Sequence, residues 1–165
     1  YTALSYVWRS SERVPATSVN NVERSVLTGC PKVITDSVET VLKLGFRYLW
    51  VDRLCIYQLD EEERHAQIGQ MDLIYAKAQL TIIAATTDPD VGLPGVAGSR
   101  RKQQPNVNIG DITIASTLSH PQIIMAKSKR VTRGWTYQEG LLSRHRLIFT
   151  DEQVLFKCHG MHCTE

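Results

Sequence analysis

The chain has 165 residues, of which 42% are hydrophobic and 22% charged, and this balance predicts one compact domain that folds without disulfide bonds. Its 19 basic and 17 acidic residues leave a net charge of +2, which argues against a nucleic-acid-binding protein. No apolar run approaches the roughly 20 residues of a membrane span, so we expect no membrane insertion.

The cysteines and the chain ends carry a second set of expectations. Four cysteines without a preceding signal peptide favour free thiols, a reducing compartment and a cytoplasmic location. The sequence begins at Tyr1 inside an apparent strand and stops at Glu165 without a helix end. We therefore predict that residues 1–165 are a single domain excised from a longer protein.

The first half of the chain alternates apolar strands with amphipathic helices. Strands are predicted at 3–8, 48–51 and 80–85, with a further short strand near 24–27. Pro31 and Gly45 bracket a helix whose apolar residues recur at helical spacing: Ile34, Val38, Val41 and Leu42. Asp60 and Glu63 resemble a capping box, and they open a helix with this buried stripe: Ile68, Met71, Ile74, Tyr75 and Ala78. The alternation predicts an open α/β sheet that is mainly parallel and flanked by helices.

The second half is less regular. Residues 86–110 are rich in Gly, Pro, Asp and Asn, and they predict a long surface loop in which the basic cluster at 100–102 is solvated. Further strands are predicted at 112–115 and 123–126, and a helix at 133–142. The strands predicted at 146–150 and 153–157 form a C-terminal hairpin around Asp151 and Glu152.

Polar side chains follow the predicted parallel strands. Trp8 and Arg9 end the first strand, Asp52 and Arg53 the second, and residues 86–88 the third. Because the carboxyl ends of parallel strands share one edge, we expect a cleft there for a polar ligand with an aromatic or sugar portion. The alternative for Asp52 is that it only caps the following turn or pairs with an arginine.

The predicted helix at 133–142 supplies a sharper candidate. Trp135 and Glu139 lie four residues apart and so share one helix face. A carboxylate held against an indole is poorly hydrated, so its charge acts strongly on a bound cation and can stabilise an oxocarbenium-like transition state. The alternative is that Glu139 is a solvated surface residue. The spacing of CHGMHC at 158–163 does not match a standard zinc knuckle, and we expect no metal site.

Three blocks of sequence resemble the fungal heterokaryon-incompatibility (HET) domain. They are YTALSYVW, LGFRYLWVDRLCIYQLDEEERHAQIGQMDLIYAKA and RGWTYQEGLLSRHRLIF, and with their linkers they cover nearly the whole chain. The chain departs from that pattern at Arg9, where the family usually has Gly, and at Tyr57, where it usually has Asn. The resemblance implies self/non-self recognition that ends in programmed cell death.

HET domains are similar, more distantly, to TIR domains, which have a flavodoxin-like fold and often cleave NAD between ribose and nicotinamide. Carried across, that similarity implies that Glu139 is the catalytic carboxylate. A single carboxylate suffices because nicotinamide is already a good, cationic leaving group, whereas ordinary glycosidases need two. Trp8 or Trp135 would stack on a ring of NAD, and Arg9, Arg53 or Arg133 would contact its pyrophosphate.

In this interpretation NAD or a related nucleotide is a substrate, and no separate cofactor is expected. The competing hypothesis is a non-catalytic death-signalling module that acts by self-association or by binding a partner, through the sheet edges and the 86–110 loop. Both hypotheses include a homo-oligomer and an unidentified protein that triggers activity.

Overall fold

The computed structural model describes residues 1–8, 29–88, 90–128 and 134–164, apart from the side chains of residues 121, 135, 137 and 138. The strands are β1 (Thr2–Ser5), β2 (Leu49–Val51), β3 (Leu80–Ala84), β4 (Asn106–Ile109), β5 (Ile112–Ala115), β6 (His145–Phe149), β7 (Val154–Cys158) and β8 (His162–Thr164). The helices are α1 (Lys32–Lys43), α2 (Asp52–Cys55), α3 (Glu61–Ile68), α4 (Met71–Lys77), α5 (Pro121–Lys127) and α6 (Gly134–Leu142).

Six strands form one sheet in the order β2-β1-β3-β6-β7-β8. The first four are parallel, and β7 and β8 are antiparallel to their neighbours. The predicted open, mainly parallel α/β sheet with helices on its faces is therefore confirmed. A separate two-stranded antiparallel sheet joins β4 to β5.

Alternating side chains divide the core between the two sheet faces. Leu4 and Ile82 belong to an apolar cluster on the α1 side, together with Val33 and Val41 of that helix. Ala3 points the other way, into a cluster with residues of α4, and Ile83 packs with Ile148 and against Met125 of α5. Since α6 contacts α4, one face carries α1 and the opposite face carries α4, α5 and α6.

Capping chemistry explains where several helices begin. The Asp60 carboxylate accepts hydrogen bonds from the N–H groups of Glu62 and Glu63 at 2.9 and 3.0 Å, so the predicted cap is confirmed. The helix that follows is interrupted at Gly69 and Gln70, which separates α3 from α4. The predicted stripe continues correctly into α4, where Met71 is buried.

Several predictions for the rest of the chain were wrong. The strand predicted at 123–126 lies inside α5, because Pro121 starts a helix that the His120 side chain caps. The 86–110 segment is not purely a surface loop, since Leu93 is fully buried and β4 occupies its end. Leu42 of the predicted α1 stripe is exposed. The first strand ends at Ser5, and the C-terminal hairpin gains a third strand, β8. The strand predicted near 24–27 lies outside the described residues.

Two remaining expectations concern the thiols and the membrane. None of the four cysteines is disulfide-bonded. Within the described ranges, none of the helices has both the length and the apolar character that crossing a bilayer requires.

The β4–β5 ribbon, residues 106–115, stands apart from the main sheet. Its register pairs Val107 with Ile114 and Ile109 with Ile112, so these four branched side chains lie on one face. All four are more than half exposed. The opposite face of the ribbon carries Asn106, Asn108, Thr113 and Ala115. The ribbon therefore presents an uncovered apolar face.

Candidate functional site

Helix α6 packs on the sheet face over β1 and β3, and it carries the predicted carboxylate at the carboxyl end of β1. Glu139 is 7% exposed, and it accepts a hydrogen bond from the Ser5 hydroxyl at the end of β1. One turn later the Ser143 hydroxyl donates to the Glu139 backbone oxygen and lies 2.7 Å from the Thr81 hydroxyl of β3. Two polar contacts thus join α6 to two neighbouring strands, and the surface reading of Glu139 is wrong.

The buried side chains of α6 that the structure describes are polar. Thr136, Glu139 and Ser143 are all buried, and their spacing places them along one side of the helix. Burying polar groups is unfavourable unless each is hydrogen-bonded, so a helix that served only to cover the sheet would place apolar residues there. This polar stripe is typical of a site that handles a polar ligand.

A second polar contact joins the carboxyl ends of β1 and β2. The Trp8 indole N–H donates to both carboxylate oxygens of Asp52, at 3.0 and 2.9 Å. The Arg53 backbone N–H also donates to this carboxylate, at 2.7 Å. Asp52 therefore stabilises the first turn of α2, as the structural interpretation predicted, and it also links the two strand ends. Ligand contact by Asp52 stays a prediction.

Three strand ends therefore meet at one edge of the sheet, as predicted. Leu4 pairs with Val51 and Ser5 pairs with Ile83, so Ser5, Asp52 and the end of β3 are at neighbouring positions. At this edge Trp8 donates a hydrogen bond to Asp52, and Ser5 donates one to Glu139.

The structure gives little information on the ligand contacts predicted for the other site residues. Arg53 is buried, which leaves little of its side chain at the surface. Arg9 and Arg133 lie outside the described residues. Trp135 belongs to α6, but its side chain is also outside the description. Their stacking and pyrophosphate contacts stay predictions.

Sequence reasoning missed Ser5, the partner of Glu139. Ser5 is a polar residue within the apolar opening YTALSYVW, and strand alternation places it on the same face as Ala3. A polar residue in an apolar strand was a visible signal, but only the position of α6 shows that Ser5 contacts Glu139. Residues 86–88 were predicted at this edge, but the part played by Asp151 and Glu152 after β6 was missed, and these two residues line a cavity with Thr87.

The C-terminal cysteine–histidine cluster forms the connection between β7 and β8. The Cys158 N–H donates to the Met161 backbone oxygen at 2.8 Å, which closes the turn. Among the residues that the structure describes, no three His, Cys, Asp or Glu side chains are grouped so as to hold a metal ion.

Two comparisons with known proteins found matches to this chain. The family model described as heterokaryon incompatibility protein (HET) matches residues 1–139, from β1 to the buried carboxylate of α6. The heterokaryon incompatibility protein 6, OR allele, of Neurospora crassa is 36% identical over 93 residues, a stretch covering 50% of this chain and 14% of that protein. The chain thus corresponds to a small part of this relative's length. No solved structure matches the chain.

Proposed function

The chain belongs to the heterokaryon incompatibility family, and we propose that it is a cytoplasmic cell-death effector that cleaves NAD between nicotinamide and ribose. The family match and the Neurospora relative support a role in fungal self/non-self recognition. The observation that carries the enzymatic proposal is the buried carboxylate of Glu139, which lies over the end of β1 within a polar stripe.

The strand order supports the location of this site. The order β2-β1-β3, followed by the parallel strand β6, supports a comparison with flavodoxin-like sheets, whose order begins in the same way. In such sheets ligands bind beyond the carboxyl ends of the strands, at the point where the strand order reverses. That point lies between the carboxyl ends of β1 and β3, beside the contact of Glu139 with Ser5.

Cleavage of NAD requires the protein mainly to stabilise positive charge on the ribose. The bond between the ribose anomeric carbon and the nicotinamide nitrogen breaks, and its electron pair neutralises the positive nitrogen. A water oxygen then bonds to the anomeric carbon and loses a proton to solvent, which gives ADP-ribose and nicotinamide. Positive charge develops on the sugar in the transition state, and a carboxylate in a poorly hydrated position stabilises it more strongly than one in bulk water.

The test follows nicotinamide release from NAD by concentrated protein. Glu139→Gln keeps the size of the side chain but removes its charge, and we expect a loss on the order of 100-fold or more. Ser5→Ala leaves the carboxylate but removes its hydrogen bond, and should reduce release less. Glu62→Gln, an exposed carboxylate on α3, is the matched control and should behave as wild type. A folded Glu139→Gln protein with wild-type release would refute the assignment.

A second candidate function, death signalling by self-association, is favoured by the β4–β5 ribbon. A two-stranded hairpin is marginally stable alone in water, and this one leaves Val107, Ile109, Ile112 and Ile114 uncovered. The ribbon has one charged residue, Asp111 in its turn, so two copies can meet face to face without charge repulsion. A second copy of this chain is therefore the proposed occupant. Four side chains bury much less than the roughly 800 Å² per partner of a standard interface, so the contact should be weak.

Light scattering over a concentration series tests this second candidate. Replacing Ile109 and Ile112 together by Thr keeps strand propensity but removes apolar surface, and we expect a monomer at concentrations where the wild type associates. Asn108→Thr changes the polar face of the same ribbon and serves as the control. A double variant that associates as the wild type does would exclude the ribbon as the interface.

A further inference from the structure

A cavity of about 430 Å³ opens at the carboxyl ends of β3 and β6, on the far side of β3 from Ser5. Thr87 follows β3, and Asp151 and Glu152 follow β6. The remaining walls come from α5 and from the segment around residue 100. Ligands of open α/β sheets bind at this edge, and the volume is within the usual range of ligand pockets.

Three cationic side chains line the cavity. Arg100 and Lys102 come from the segment before β4, and Lys127 comes from the last turn of α5. Lys102 makes only a loose contact with Glu152, at 3.5 Å, and its side chain is two-thirds exposed. Arginine and lysine side chains converging from separate segments are the usual means of binding a phosphate group.

Two carboxylates face the same space and are held by backbone groups. Asp151 accepts from the Thr87 N–H at 3.2 and 3.3 Å, and Glu152 accepts from the Ser119 N–H at 3.3 Å. That N–H is the main cause of the lowered pKa of Glu152, which favours its charged form. Each carboxylate has about four acceptor positions, so both retain capacity for ligand hydroxyl groups.

The wall contributed by α5 is apolar. Ile123 and Ile124 line the cavity, and Ile123 is half exposed although Met125 of the same helix packs against the sheet. An exposed isoleucine beside a polar cavity offers a flat, water-excluding contact for a planar ring. The cavity therefore combines cations, hydroxyl acceptors and an apolar wall.

We propose that this cavity binds a nucleoside phosphate. The phosphate groups lie against Arg100 and Lys127, the ribose hydroxyls donate to Asp151 or Glu152, and the base packs on Ile123. A bare anion would gain only the cations and would be opposed by the two carboxylates, so the chemistry favours a ligand that carries hydroxyl groups as well. This proposal does not require Glu139 to be catalytic, since neither Glu139 nor Ser5 lines the cavity.

Calorimetric titration of the 165-residue protein with ADP at low salt tests the proposal. Arg100→Gln and Lys127→Gln should each weaken binding roughly tenfold, the effect of losing one charge-assisted contact. Arg47→Gln is the matched control. Arg47 lies before the amino end of β2, far from the carboxyl ends of β3 and β6, so the variant should leave the affinity unchanged. Both cavity variants alter exposed side chains, so thermal unfolding should match that of the wild type.

Two further ligands separate the possible sources of binding. Adenosine lacks phosphate and should bind more weakly than ADP, and its binding should be insensitive to Lys127→Gln. Inorganic phosphate should bind more weakly than ADP and be insensitive to Ile123→Ser, whereas ADP binding should fall in that variant. The proposal is overturned if wild-type protein shows no ADP binding at millimolar concentration, if phosphate binds as tightly as ADP, or if both cationic variants retain wild-type affinity.

The result is separable from the NAD cleavage assay. Glu139→Gln should bind ADP as the wild type does, because the cavity lies across β3 from the carboxylate. Failure of cleavage with intact ADP binding leaves the cavity assignment standing. Absence of ADP binding with intact, Glu139-dependent cleavage removes only the cavity assignment.

Discussion

Removing the buried carboxylate of Asp36 should strongly destabilise the fold. Asp36 is on α1, is 1% exposed, and accepts three hydrogen bonds at 2.8 Å, from the Leu93 N–H, the Ser99 hydroxyl and the Lys32 ammonium. It thereby ties α1 to the segment that leads to Arg100 and Lys102. Gly92, with a φ of 79°, gives the carboxylate room, because a Cβ atom at that position would clash with it.

The size of the effect follows from the groups left behind by Asp36→Ala. The Leu93 N–H and the Ser99 hydroxyl are both buried, and an unsatisfied buried donor costs about 1–3 kcal/mol. Lys32 is 42% exposed and regains water at little cost. Removing a buried charge recovers part of the loss. We therefore expect the free energy of unfolding to fall by about 3 kcal/mol.

Urea unfolding of Asp36→Ala, followed by circular dichroism, measures this change. Glu39→Ala is the matched control, since Glu39 lies one turn further along α1 in a surface pair with Lys43, and its removal should change stability by less than about 0.5 kcal/mol. A fall of less than about 1 kcal/mol in the free energy of unfolding of Asp36→Ala would show that the three contacts do not stabilise this segment.

Three further predictions concern single side chains. Trp8→Phe keeps the ring but loses the N–H that donates to Asp52, and should lower the free energy of unfolding by about 1.5 kcal/mol in urea; no change would contradict it. Cys55 is exposed as a residue, but desolvation of its sulfur and the nearby Asp52 carboxylate raise the pKa of the thiol. At pH 7.5 it should therefore react with iodoacetamide more slowly than glutathione does, and equal rates would exclude this. A backbone N–H lowers the folded-state pKa of Glu152, so its contribution to stability is present above the unfolded-state pKa and is lost as pH falls through the folded one. Glu152→Gln should flatten that acid dependence in unfolding measured from about pH 6 to 3, whereas an unchanged slope would oppose the assignment.

Local patterns predicted most of the first half of the fold. Helix α1 and strands β2 and β3 follow from apolar spacing and from Pro31 and Gly45, which act within a few residues. The short apolar run at 123–126 is compatible with a strand or a helix, and periodicity alone does not decide between them. The buried Leu93 donates its N–H to Asp36, 57 residues earlier, and packs in the cluster on the α1 side, so its burial depends on contacts that no local pattern predicts.

The candidate site was predictable in its location but not in its contacts. The predicted parallel strands placed Trp8 and Asp52 at one edge, where the structure joins them by a hydrogen bond. Glu139 is buried beside the end of β1, and a role for these residues in ligand binding or catalysis stays a prediction. The partner of Glu139 depends on how α6 is placed over β1, and that placement comes from tertiary packing. Tertiary packing also determines the surroundings of Arg100. Its sequence context predicted a solvated loop, but the side chain lines a cavity.

The stability of the contact between α6 and the sheet does not explain why its buried residues are polar. A buried carboxylate and two buried hydroxyl-bearing residues contribute little net stability, because each hydrogen bond to a neighbour replaces one to water. Apolar residues of similar size at these positions would usually stabilise the contact with β1 and β3 as well or better. Stability alone therefore does not account for Glu139, and the proposed NAD cleavage is a function in which its charge would have a role.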